Sequence, residues 1–140
     1  MKKRSEQGFS LIELLIVVVI IGIIAVLAVP HLQKGIRAAE NGNMFATMRS
    51  MASTQVSFYS QNNRFGRLGE VNNLLSNSIG TLSGNEITRG KFIISMTPAD
   101  PTNAELRQSY TIVATRNVVS EGVVYVYELT QSGDIRQILP

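Results

Sequence analysis

The chain has 140 residues, with 13 lysines and arginines against 10 aspartates and glutamates, and a formal net charge of +3. This length suits one small domain with an appendage. Residues 1–8 hold three basic side chains and one acidic one, so the rest of the chain is close to neutral, which argues against general nucleic-acid binding. The sequence has no cysteine, which excludes disulfides, thiolate metal sites and cysteine nucleophiles.

A basic cluster precedes a long apolar run at the N-terminus. Lys2, Lys3 and Arg4 come before residues 11–29, in which Glu13 is the one charged side chain. At 1.5 Å per residue a helix of this length reaches about 28 Å, enough to cross a bilayer. Basic residues before a span favour a cytoplasmic N-terminus. A carboxylate among apolar residues costs roughly 2.5–3.5 kcal/mol on insertion scales, so Glu13 is predicted to be functional.

Three interpretations of this N-terminus are open from the residues alone. It is an uncleaved single-span anchor, a secretory signal peptide cut near residues 26–28, or a leader cut on the cytoplasmic side between Gly8 and Phe9. Two features argue against a signal peptide: Glu13 lies inside its apolar region, and that region exceeds the usual length of about 7–15 residues.

The sequence Gly-Phe-Ser-Leu-Ile-Glu at residues 8–13, followed by an apolar helix with Gly22 and Pro30, resembles the type IV pilin family. The resemblance implies that a membrane-embedded prepilin peptidase cuts after Gly8 and methylates the new amino group of Phe9. The mature chain would then be residues 9–140. A glycine at the junction suits this cleavage, because it lets a peptidase approach the backbone closely.

The resemblance also implies a role for Glu13. Cleavage creates a positive amino group on Phe9, and in the family's filaments the carboxylate pairs with this group of a neighbouring subunit. Breaking such a buried pair costs about 3–5 kcal/mol, because one charge is left uncompensated. The alternative is that Glu13 lies at the level of the lipid headgroups and reaches them with its side chain.

Beyond Pro30 the pattern predicts that the helix continues to about Tyr59. Apolar residues at helical spacing predict the stripe of this helix that faces the core: Phe45, Met48, Ala52, Val56 and Tyr59. Three more apolar residues lie nearby: Met44, Met51 and Phe58. Pro30 removes a backbone donor and Gly22 weakens the helix. The resemblance implies that the segment between this glycine and this proline unwinds when subunits pack into a filament, so residues 22–30 are the predicted site of a conformational change on assembly. The alternative is a static kink, and residues 41–43 are a predicted bend.

The C-terminal part is predicted to be a small head. A short helical turn at 67–75 and a Ser-, Asn- and Gly-rich loop at 76–90 precede the strands. The four strand candidates are residues 91–97, 108–115, 123–130 and 134–139. The predicted fold class is α+β, with one long helix packed on a C-terminal antiparallel sheet of about four strands.

The resulting domain division has four parts: a leader at 1–8, a membrane or filament-core helix at 9–30, the amphipathic half of that helix at 31–59, and the globular head at 60–140. The resemblance implies a structural subunit of a bacterial type IV pilus rather than an enzyme, with no cofactor. Such a subunit would start in the inner membrane, with its N-terminus in the cytoplasm, and would end in an extracellular pilus. Its implied partners are other copies of the chain, the prepilin peptidase, and an assembly machinery with a motor ATPase.

Other functions are weighed against this one. A type II secretion pseudopilin or a minor pilin shares the leader, and a calcium ion near residues 100–108 or 118–122 would favour the pseudopilin. A membrane-anchored module that binds DNA or a surface is a third candidate, with a basic patch formed by Arg64, Arg67, Arg89 and Lys91. His31 is predicted to lie at the membrane boundary without a catalytic role. The carboxylates of Asp100, Glu105, Glu121 and Asp134 are interpreted as solvated, because they lack metal-ligand spacing.

Overall fold

A computed structural model describes residues 8–118 and 122–140. The chain divides after Glu40 into two compact units. The helices are α1 (Leu11–Asn62), α2 (Leu68–Leu74) and α3 (Asn103–Leu106). The strands are β1 (Thr81–Ser83), β2 (Glu86–Arg89), β3 (Phe92–Thr97), β4 (Thr111–Val118), β5 (Val123–Thr130) and β6 (Ile135–Leu139). The predicted α+β class is confirmed.

The first unit is formed by the apolar part of α1, which is long and apolar enough to cross a membrane. The helix continues through Gly22, Pro30 and residues 41–43 and ends at Asn62, three residues beyond the predicted end. Neither Pro30 nor the Asn-Gly-Asn sequence therefore terminates it. Every large apolar side chain from Leu11 to Val29 is at least half exposed, so this part of α1 does not belong to a hydrophobic core.

In the second unit, the antiparallel sheet follows the chain order from β1 to β6. The sheet has six strands rather than about four, so the prediction of a loop at 76–90 was wrong: β1 and β2 form a hairpin there. Gly84 supplies the positive φ of its turn. Only Ile87 of these two strands is buried, which leaves no alternation for a sequence pattern to reveal.

The core of the second unit lies between α1 and one face of the sheet. Two registered rows on this face illustrate the packing: Ile94, Ala114 and Tyr127 form one, and Met96, Ile112 and Leu129 the next. The buried residues of α1 are Met44, Met48, Met51, Gln55 and Phe58. Alternating steps of four and three residues keep them on one side of the helix.

The predicted stripe on α1 was partly wrong. Val56 is 65% exposed and Tyr59 38% exposed, whereas Gln55 and Phe58 are buried. At several places along this helix, two consecutive residues are both apolar. The spacing of apolar residues therefore fits two adjacent faces of the helix, and it cannot decide which face is buried. The decisive residue is polar: the Gln55 amide donates to the Gly66 carbonyl at 2.8 Å and accepts from the Gly66 N–H at 2.7 Å.

α3 was also absent from the predictions, which assigned no element between the strand candidates at 91–97 and 108–115. Its start is a reciprocal cap: the Thr102 side chain accepts from the Glu105 N–H, and the Glu105 carboxylate accepts from the Thr102 N–H at 2.7 Å. Threonine followed three residues later by glutamate is the pattern of a capping box, so the sequence did contain this signal.

Candidate assembly site

Glu13 lies in the first turn of α1, where its carboxylate caps the start of the helix. Ser10 is the last residue before the helix, and its carbonyl accepts the N–H of Leu14 at 3.2 Å. The Ser10 N–H donates to Oε2 of Glu13 at 3.1 Å. A carboxylate at this position is favoured, because the first N–H groups of a helix lack helical partners and the helix dipole is positive there. Glu13 is therefore compensated in part by its own helix.

Gly8 and Phe9, the predicted cleavage site, lie before the first turn of α1. Phe9 is 87% exposed. The structure thus places the junction outside regular secondary structure and within a few residues of Glu13. The capping hydrogen bond from Ser10 is a feature that the sequence analysis missed, although glutamate as third residue after a serine is a recognised cap pattern.

Gly22 and Pro30 lie farther along α1 and are not brought together with Glu13. Gly22 leaves a shallow apolar groove on the helix surface, lined by Val19, Ile23, Val26 and Leu27. A Cβ atom at Gly22 would meet no neighbouring atom within 4 Å. The helix around both residues is intact, and their predicted flexibility is untested.

The apolar surface around the site is extensive. From Leu11 to Val29 the large apolar side chains are between 50% and 82% exposed. Soluble monomers rarely expose contiguous apolar surface on this scale, and such surfaces mark membrane or protein contacts. The residues of the candidate site therefore lie on a helix that needs lipid or other chains around it.

The predicted basic patch is engaged largely in intramolecular contacts. Arg64 forms a two-pronged ion pair with Glu70, at 2.8 and 2.6 Å, and this hydrogen bonding lowers the pKa of the Glu70 carboxyl. Arg67 donates to the carbonyl of Pro101, and Arg89 donates to the side chain of Asn43 and to two backbone carbonyls. Lys91 is exposed. Arg64, Arg67 and Arg89 thus have structural roles.

Two of the predicted carboxylates accept local hydrogen bonds. The Glu105 carboxylate is used in the cap of α3, and Asp134 accepts from the Ser132 hydroxyl at 2.8 Å. Asp100 and His31 are exposed, whereas Glu121 lies outside the described residues. Within residues 8–118 and 122–140, no group of three or more histidine, aspartate or glutamate side chains is arranged to hold a metal ion.

An exposed apolar helix with a carboxylate at its start, together with an α+β head, defines a pilin-like protein. Residues 3–29 match the family model described as the prokaryotic N-terminal methylation motif. The chain is 37% identical over 60 residues to the type IV major pilin protein PilA of Myxococcus xanthus, which covers 43% of this chain and 27% of that protein. It is 42% identical over 61 residues to a fimbrial protein of Moraxella nonliquefaciens, covering 44% and 39% respectively.

A third relative is a secretion protein. The chain is 32% identical over 65 residues to the type II secretion system core protein G of Aeromonas hydrophila, covering 46% of each chain. All three matches span less than half of the relative's length. No solved structure matches this chain significantly. The methylation motif and these relatives support a type IV pilin or a related protein of type II secretion.

Proposed function

We propose that the chain is the structural subunit of a bacterial type IV pilus. The observation that carries this proposal is the position of Glu13: it is the one acidic residue in the first turn of an exposed apolar helix, directly after the Gly8–Phe9 junction. A carboxylate there is costly in lipid, and a filament of like chains offers it a charged partner. Two of the relatives are named as a major pilin and a fimbrial protein.

The proposed pathway begins in the inner membrane. Residues 9–30 anchor the chain, with the basic leader on the cytoplasmic side, and residues 60–140 form the head together with the preceding amphipathic helix at 31–59. Prepilin peptidase removes residues 1–8 and methylates the amino group of Phe9. An assembly machinery with a separate motor ATPase then moves the subunit from lipid into the filament.

Assembly replaces lipid around α1 by the apolar helices of other subunits. Apolar contacts are similar in both environments, so they do not by themselves make the transfer selective. The charges differ: in the filament, Glu13 pairs with the amino group of Phe9 on a neighbouring subunit. We also propose that residues 22–30 loosen during this transfer, because Gly22 and Pro30 both weaken helical hydrogen bonding.

The secretion relative supports a second candidate, a type II secretion pseudopilin. It shares the leader, the helix and the proposed pairing of Glu13, and differs in the filament that it builds. Electron microscopy of cells expressing the chain separates the two: long surface filaments containing it indicate a pilus, whereas their absence in a strain with an active secretion system indicates a pseudopilus.

Mass spectrometry of purified filaments tests the processing step. We expect the N-terminal peptide to begin at Phe9 and to carry one added methyl group, located on Phe9 by fragmentation. A strain lacking its prepilin peptidase is the control and should retain residues 1–8. Assembled filaments in which this leader is still attached would refute the proposed processing.

A further inference from the structure

The hydrogen bond at the start of α1 uses only one oxygen of Glu13. The Ser10 N–H reaches Oε2 at 3.1 Å. Within the part of the chain that the structure describes, Oε1 accepts no hydrogen bond. A carboxylate can accept several hydrogen bonds through its two oxygens, so the cap and a second, charged partner are compatible.

The cap also fixes where the carboxylate lies. A free glutamate side chain samples several rotamers, and holding one of them costs conformational entropy. The bond from Ser10 selects a rotamer that folds back over the first turn, toward the N-terminal end of the helix, where residue 9 is located. A side chain that is already ordered loses less entropy when its partner binds.

We infer that the Ser10 backbone N–H is a positioning group for assembly: it holds Oε2 of Glu13 and thereby presents Oε1 to the amino group of the neighbouring subunit. This inference rests on the proposed pilin function and adds to it. The cap forms in the membrane-bound subunit and persists in the filament. Charge and position are then separate requirements at residue 13.

Two substitutions separate these requirements. Glu13→Gln keeps the length and a capping oxygen but removes the charge, since glutamine replaces glutamate in capping boxes. Glu13→Asp keeps the charge but shortens the side chain by one methylene, which takes the carboxylate away from the Ser10 N–H. Glu86→Asp is the matched control, because it makes the same change at an exposed position of β2.

The first measurement is the yield of filaments sheared from cells, after mass spectrometry has verified that residues 1–8 are removed in each variant. We expect Glu13→Asp to give about a tenth of the native yield or less, because sites of this kind require placement within about 0.5 Å. Glu86→Asp should assemble at the native level. Native assembly of Glu13→Asp would overturn the positioning role.

The second measurement observes the contact itself. Solid-state NMR of the full chain, labelled with ¹⁵N-serine and ¹³Cδ-glutamate, should show dephasing between Ser10 N and Glu13 Cδ in lipid bilayers and in filaments. The Glu13→Ala chain in bilayers provides the background. Loss of this dephasing in native filaments would refute the inference and leave the proposed function intact. Normal assembly of both Glu13→Gln and Glu13→Ala would refute the pairing of Glu13, and the absence of the chain from any filament would refute the proposed function itself.

Discussion

The two units of the chain satisfy their apolar side chains in opposite ways. In the second unit, the methionines of α1 and the inner face of the sheet bury one another almost completely. In the first unit, the large apolar side chains from Leu11 to Val29 of the same helix are at least half exposed. The head thus carries the source of its stability within its own fold, whereas the N-terminal part of α1 depends on what surrounds it. Substitutions in the two units should consequently report on different properties, folding in one and assembly in the other.

The largest effect on folding is expected from Met48→Ala. Met48 is fully buried, and truncating a buried methionine to alanine costs about 2–5 kcal/mol because a cavity remains. Ile20→Ala removes a similar volume from the exposed part of α1 and should change the free energy of unfolding of the head by less than about 0.5 kcal/mol. Denaturant titration of both variants in detergent measures the difference. Equal losses in the two variants would remove the distinction between the units.

A smaller loss is expected from Gln55→Leu. The substitution keeps the side-chain volume but leaves the N–H and the carbonyl of Gly66 without their partner. One buried unsatisfied polar group costs about 1–3 kcal/mol, so we expect a destabilisation within or somewhat above this range. Val56→Leu, on the exposed neighbouring position, is the control. A more stable Gln55→Leu variant would show that this amide pairing is dispensable.

These examples show how far the sequence predicts the molecule. The long helix and the antiparallel sheet follow from strong patterns: a continuous apolar run and alternation in the long strands. Which side of α1 is buried does not follow from such a pattern. It depends on the hydrogen bonds between Gln55 and Gly66, a partner eleven residues away. The β1–β2 hairpin escaped prediction because only one of its side chains is buried.

For the candidate site, the sequence predicted Gly8, Phe9 and Glu13, and the structure adds the hydrogen bond from Ser10. Most of the predicted basic patch proved to be structural, because Arg64 pairs with Glu70 while Arg67 and Arg89 find acceptors that lie far away in the sequence. Arg67, for example, donates to the carbonyl of Pro101. The sequence shows that a charged side chain is present, but only the fold shows whether that side chain already has a partner within the protein.

The smallest effect on folding is expected from the Arg64–Glu70 ion pair. Hydrogen bonding to Arg64 lowers the pKa of the Glu70 carboxyl below its ordinary value of 4.5. The native state therefore binds this proton less readily than the unfolded chain. The contribution of Glu70 is present above pH 4.5 and is lost as the pH falls through the lowered pKa. Because both side chains are partly exposed, the effect is modest.

Thermal melts at pH 7 and pH 3 measure this contribution. Acidification should lower the melting temperature of the native chain by more than that of Glu70→Gln, which has no carboxylate to protonate at this position. Glu128→Gln, a substitution on β5, is the control and should behave like the native chain. An identical pH dependence in the native chain and in Glu70→Gln would show that the pair does not contribute.

The most direct test of the central claim is the filament yield of the Glu13→Gln variant. Its amide retains an oxygen for the Ser10 N–H, so the start of α1 and the head should remain folded, while the charge for the neighbouring amino group is absent. We predict membrane-inserted subunits with a native head and a filament yield at least about tenfold below that of the native chain, as expected for a lost buried charge pair. Filaments at the native level from this variant would contradict the claim that the charge of Glu13 drives assembly.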